Sequence, residues 1–449
     1  MRDYAFVAYL ALLLLLGMRR PFLFVLGYVY IDLVSPQRLS YYLLSSVPVS
    51  LIFFAAAFVG WVVTDARHGF RITVRQLLIL ALLGWAGWTT AHADFPIDAA
   101  EKWDWVWKTL VFAVFLPMTL RTRLRIEAMV VFMILSVASI VITGGIKTLA
   151  SGGGYGMLNL GVSNNSGLYE GSTISMVAVG MIPLILFAMQ HGTIFRPDWR
   201  VRLFGYALIF ACLLIPIGTQ ARTGLICIGL LAVMLLRMVK RRLLYLGILA
   251  AAVAVAVPLL PDSYSKRMET IEGYQGDESA STRIAVWGWT LDYVRDHPMG
   301  GGFGAYRQNR FVYHTRTREG DAAATVVDGG RAWHSSYFEM LGEQGYGGLA
   351  LWLTLNLIGL VRTEVLRRRY LRAGGDADWI APLASALQMA HILYLVGSMF
   401  LALAFASFAY MWMGLQIALD LYCARREREA GFARWGRPAR VRGASPAAG

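Results

Sequence analysis

Three polar side chains could do chemistry: Arg222 and His334 at the borders of long apolar runs, and Arg283 within the polar stretch 261–334. Arginine keeps its charge and offers a planar fork of N–H donors that fits phosphate oxygens. Histidine is the side chain best suited to take a proton near neutral pH. Two arginines and a histidine meeting at a membrane surface would suit chemistry on an anionic, lipid-linked substrate. Thr219-Gln220-Ala221-Arg222-Thr223-Gly224 opens an apolar helix. An arginine there either snorkels to headgroups or faces a cavity and holds an anion, helped by the helix N–H groups. Arg283 falls in the first turn of a helix predicted over Ser281–Arg295, whose apolar face would be Ile284, Trp287, Leu291 and Val294. Ser281 or Thr282 would cap it, and Asp296-His297-Pro298 with Gly300–Gly304 would end it. A cation at that position opposes the helix dipole unless an anion lies nearby. The plainer reading pairs Arg283 with Asp277 or Glu278. Arg331-Ala332-Trp333-His334-Ser335-Ser336-Tyr337 leads back into an apolar run, so His334 reads as a boundary residue, structural or basic in role. His297 and His314 compete within the same polar stretch, and His297, ahead of a proline, suits a structural place.

The elements that must position these residues are membrane helices. The chain is 57 % hydrophobic and 16 % charged, with mean hydropathy +0.53, where a soluble protein carries roughly a quarter charged residues. Apolar runs recur near 4–18, 21–35, 42–64, 75–92, 104–120, 126–143, 171–190, 201–218, 222–238, 242–260, 337–361, 380–400 and 403–423. Against a required length of about 20 residues they predict an all-α polytopic membrane protein with about 12–13 crossings. Continuous apolar blocks without period-two alternation argue against a β-barrel. The run Tyr4–Leu16 leads into Arg19, Arg20 and Pro21, with no small-residue cleavage site.

Net charge is +14, yet the basic residues sit in short loops between apolar runs. That pattern fits membrane orientation and anionic headgroups better than nucleic acid, which is not expected as a partner. Basic connections alternate with longer, less basic ones, so the polar stretch 261–334 is expected outside the cytoplasm and the tail 424–449 in the cytoplasm, disordered. Trp103, Trp105 and Trp107 fit an interfacial aromatic belt, with a substrate platform as the alternative. The Gly- and Asn-rich stretch 151–167 reads as a turn-rich external connection without a nucleotide-binding spacing. Cys212, Cys227 and Cys423 read as small hydrophobes, implying neither disulfide nor metal.

The ordered set Gln220-Ala221-Arg222-Thr223-Gly224, Ser281-Thr282-Arg283-Ile284 with Trp287, His297-Pro298 with Gly300–Gly304, and His334-Ser335-Ser336-Tyr337-Phe338-Glu339 with Gly345-Tyr346-Gly347 resembles the O-antigen ligase/polymerase superfamily. The resemblance covers roughly Leu203 to Gly347. The N-terminal half, from Arg19-Arg20-Pro21, resembles the O-glycosylation ligases associated with exosortase systems. These likenesses imply N-terminal transmembrane helices over 1–202 and a ligase-like region over 203–423 with one large periplasmic loop containing short helices. They imply a bacterial inner-membrane enzyme with its site facing the periplasm. It would transfer a glycan from undecaprenyl diphosphate to a hydroxyl on a lipid, protein or polysaccharide. By the same resemblance Arg222 and Arg283 would hold the diphosphate and His334 would act at the acceptor; as a base it would take the hydroxyl proton, and direct attack of that hydroxyl would invert the anomeric carbon, with no cofactor or metal expected. A polysaccharide polymerase using the same donor is the neighbouring reading. A transporter is the reading from another class, although no internal repeat supports it.

Overall fold

The computed structural model describes residues 2–44, 46–65, 71–151, 158, 167–236, 247, 278–316 and 323–435. They form α1 (Arg2–Arg19), α2 (Phe22–Val34), α3 (Pro36–Leu39), α4 (Val49–Thr64), α5 (Val74–Ala91), α6 (Pro96–Thr119), α7 (Arg123–Ser151), α8 (Gly171–His191), α9 (Trp199–Gly218) and α10 (Arg222–Leu236). There follow α11 (Glu278–Asp296), strands β1 (Arg310–Arg316) and β2 (Ala323–Gly329), then α12 (Ser336–Tyr370), α13 (Ile380–Gly397) and α14 (Ser407–Trp435). Among the described residues five helices are long and apolar enough to cross a membrane, and three more apolar helices are shorter. The protein is an all-α, polytopic helical membrane protein. The predicted run 242–260 lies outside the described residues, Gly247 excepted.

Burial sorts the helices. In its most apolar window α8 is 83 % buried and α9 only 33 %. A helix apolar all round and buried all round belongs at the centre of a bundle, and one with an apolar exposed side faces lipid. Thus α8 forms the axis, packed by α7, α9, α10 and α13, while α9 turns Leu203, Tyr206 and Phe210 outward. Side-chain caps fix where several helices start. Thr73 and Gln76 form a reciprocal capping box on α5, and Glu170 and Asp198 cap α8 and α9.

The loops predicted to share a basic side do come together. Arg125 pairs with Asp65 at 2.5 Å, Arg123 donates to the His191 carbonyl at 3.1 Å, and Arg425 donates to the Arg121 carbonyl at 2.6 Å. The last of these holds the C-terminal segment to the bundle. Instead of a disordered tail from 424, α14 continues to Trp435, with Glu427 accepting from Tyr370 at 2.9 Å and pairing with Arg369 at 3.1 Å. Partners for its charges explain the extra turns; residues 436–449 lie outside the described set. The run predicted from 42 becomes helical only at Val49, because 40–43 wrap around Asp3. Ser40 Oγ and the backbone N–H groups of Tyr41, Tyr42 and Leu43 all donate to that carboxylate.

In the polar loop, α11 lies where a helix was predicted but presents a rotated face. Val286, Thr290, Tyr293 and Val294 are buried, whereas Ile284 is 59 % and Leu291 48 % exposed. A polar residue decides the rotation: Thr290 is buried because its hydroxyl accepts from Trp333 Nε1 at 2.8 Å and donates to the Val286 carbonyl at 2.7 Å. The loop also holds an antiparallel hairpin, β1 with β2, in register from Arg310↔Gly329 to Arg316↔Ala323. Only short helices were expected there. The Phe311-Val312-Tyr313 and Thr325-Val326-Val327 runs are the β-formers that favour it.

Candidate functional site

At the end of the bundle away from the basic loops, α9 turns into α10 through Thr219-Gln220-Ala221. Thr219 is buried, its Oγ1 bonded to the Ile215 carbonyl at 2.8 Å and paired with Ser175 Oγ at 2.7 Å. Gln220 takes φ +52°, a left-handed conformation rare for a residue with a Cβ. The turn delivers Arg222 as the first residue of α10, with its Nε buried. Alongside, α8 starts at Gly171, where a Cβ would stand 3.2 Å from Thr219 Cβ. The N-termini of α8 and α10 therefore sit side by side. The first is already satisfied: Glu170 accepts from Ser172 N–H at 3.0 Å and Thr173 N–H at 2.6 Å.

His334 precedes α12 and also lies in the left-handed region, at φ +46°. Its neighbours hold it there. Trp333 is buried, with Nε1 on Thr290 and its carbonyl accepting from Trp287 Nε1 at 2.9 Å. On the other side Ser336 N–H donates to the Ser398 carbonyl and Ser336 Oγ donates to the Leu401 carbonyl, each at 2.8 Å. Trp287 stacks on Phe338 at 4.9 Å, joining α11 to α12. A strained residue over-determined on both sides is a feature of functional sites.

The His334 ring keeps an exposed edge while protein crowds its body. Its pKa lies below the ordinary value of 6.5, first because burial penalises the charged form and then because Arg283 is near; Glu170 opposes the shift and Arg331 adds to it. Arg283, Arg331 and Glu170 therefore share one electrostatic neighbourhood with His334. Arg222 follows the turn whose Thr219 packs on Gly171, the residue after Glu170. The Nε of Arg283, like that of Arg222, is buried. Of the partners considered for Arg283, Asp277 and the side chain of Glu278 lie outside what the structure describes. His297 stacks on Tyr293 at 4.3 Å with Nδ1 3.2 Å from its carbonyl, a structural place. His314 belongs to β1. Among the described residues no cluster of His, Cys, Asp and Glu could hold a metal.

A second constellation, unread in the sequence, fastens the loop. Lys102 Nζ lies 2.6 Å from Glu339 Oε1 and 2.7 Å from Glu343 Oε2, both carboxylates buried. Gly304 N–H donates to Glu343, and Ala404 N–H to Glu339. Asp94 accepts from Tyr293 Oη at 2.5 Å, and Asp98 pairs with Arg307 at 2.7 Å. The chain must cross very close to α12 here. Gly345, at φ +63°, kinks that helix, and a Cβ on it would stand 2.3 Å from the Pro298 carbonyl. Lys102 and Asp98 fall in the first turns of α6, and Asp94 just before it. The tryptophans beside them form no single platform: at steps of two residues around α6, Trp105 is exposed while Trp103 and Trp107 are half-buried.

Residues 207–353, which contain Arg222, Arg283 and His334, match the family model described as O-antigen ligase. Residues 1–193, which contain Glu170 and Lys102, match a family of unknown function (DUF5935). Neither match names the exosortase-associated subgroup. No curated protein matches the chain.

Proposed function

From the O-antigen ligase superfamily, to which this chain belongs through residues 207–353, we propose a glycan transferase that moves a sugar chain from undecaprenyl diphosphate to an acceptor hydroxyl at the periplasmic face of the bacterial inner membrane. The observation that carries this reading is that His334, held at φ +46°, and Arg283 share one electrostatic neighbourhood inside the residues that match the O-antigen ligase model. A neutral imidazole can accept a proton, and a guanidinium keeps its charge and fits phosphate oxygens.

Arg222 and Arg283 grip the diphosphate oxygens, where negative charge grows as the donor bond breaks. The N-terminus of α10 adds its dipole to the same anion. His334 takes the proton of the acceptor hydroxyl as that oxygen attacks the anomeric carbon. The carbon–oxygen bond to phosphate breaks on the opposite side, so the configuration inverts, and undecaprenyl diphosphate leaves with the electron pair. Glu170 steadies the imidazolium formed, offsetting the repulsion from Arg283 and Arg331 until the proton passes to solvent.

The test uses protein in nanodiscs with a lipid-diphosphate-linked glycan and follows undecaprenyl diphosphate release. Acceptor-dependent release should fall by about 10²–10⁴ in His334→Ala, the usual contribution of a positioned base. It should also collapse in Arg222→Ala with membrane insertion unchanged. Near-normal turnover in either variant would remove that residue from the mechanism. Product length decides between ligase and polymerase: a single preformed glycan on a new carrier marks the first, a ladder of repeats the second.

A further inference from the structure

At the end of the bundle opposite the candidate site, α7, α8 and α9 line a half-open cavity of about 380 Å³. It exceeds the ~150 Å³ apolar cavity known to take up benzene and falls within the ~300–1,000 Å³ of small-molecule pockets. Ile134, Ile185, Met189, Phe204 and Leu208 supply its walls, and Phe204 and Phe195 are themselves about half exposed on the outer side. Walls of this kind offer water too few polar partners to hold it. In a bilayer the natural filling is hydrocarbon.

One rim of the cavity is polar, formed by Glu127 and Arg200. Glu127 is consumed: its carboxylate accepts from Thr193 N–H, Thr193 Oγ1 and Ile194 N–H. Asp198 is likewise taken up by Val201 N–H at 2.8 Å. Arg196, Arg200 and Arg202 are exposed or at the edge of exposure, and Arg200 rests 5.5 Å over the Trp199 ring. Among the described residues none of these three arginines forms an ion pair with a carboxylate. Apolar walls below and uncompensated cations above define an amphipathic anion, and basic pockets between transmembrane helices are known to take anionic lipid headgroups.

We propose that this cavity binds one anionic phospholipid, an acyl chain between the three helices and the phosphate on Arg200. The site lies where the lipid can influence the far end. α7 carries Thr148 against Gly218, α8 starts against Thr219, and α9 runs into the turn that presents Arg222. An acyl chain that fixes the spacing of these helices at one end sets the frame in which the turn is held at the other.

The test is native mass spectrometry of the full chain in mild detergent, titrated with phosphatidylglycerol or with phosphatidylcholine of the same chains. Phosphatidylglycerol should be retained about fivefold more strongly, the preference expected for one basic residue at an anionic surface. Arg200→Gln, at an exposed position, should erase that preference and leave weak binding of both lipids. Ala188→Phe, which fills the cavity, should abolish retention of both. Equal retention of the two lipids by the unaltered protein, or undiminished phosphatidylglycerol binding in both variants, would overturn the proposal. Lipid retention needs no glycan donor, so its result stands apart from that of the transferase assay.

Discussion

His334 has two neighbours of opposite effect, and each can be removed. Arg283 holds its pKa down and Glu170 pushes it up. Replacing Arg283 by Ala should raise the His334 pKa toward 6.5, and Glu170→Gln should lower it further; imidazole NMR of labelled histidine reads both shifts directly. For transfer itself the sign follows. With the base neutral below the ordinary imidazole value, the acidic limb of the pH–rate profile should fall below pH 6.5 in the unaltered protein. Arg222 and His334 stood out in the sequence because each lies where an apolar helix begins, and Arg283 because a cation read near the start of a helix opposes its dipole. Glu170 was not legible. It sat in a connection whose glycines and asparagines read as turn, and the packing of α8 against α13, whose C-terminal end holds Ser336, brings its charge toward His334.

The loop element is held by a clamp that borrows from another part of the chain. Lys102 stands between two buried carboxylates, and their desolvation is offset only while the ammonium is there. Lys102→Met should therefore destabilise the protein by about 3–5 kcal/mol, since it strands uncompensated buried charge. Glu343→Gln in that background should recover part of the loss, visible in thermal unfolding of the detergent-solubilised protein. The existence of α11 was readable from its period and from the stop after Asp296, but it starts at Glu278, so Ser281 and Thr282 lie within it, not at its cap. Its buried face was not readable. Aliphatic spacing favoured Ile284 and Leu291, whereas hydrogen bonds from the indoles of Trp287 and Trp333 settled the rotation. Such partners come from a distant stretch and leave no local trace.

For the molecule as a whole, hydropathy gave the membrane helices and the alternation of loops, because the bilayer imposes length and composition on every crossing. It gave no hint that the two matched regions interlock. The axis helix α8 and the clamp residue Lys102 belong to the region of unknown function, while the arginines and histidine belong to the other. A chain of residues 203–449 alone should insert in membranes and show no transfer. Co-expression with residues 1–202 should restore pairing and activity, measured by co-purification and donor turnover.

Asn309 closes the base of the hairpin: its side chain donates to the Arg331 carbonyl at 2.7 Å and accepts from Arg331 N–H at 3.0 Å. That small lock makes the stretch between them an appendage whose length is decoupled from the position of His334. Changes in chain length between 316 and 323 should therefore leave His334, three residues beyond Arg331, where it is.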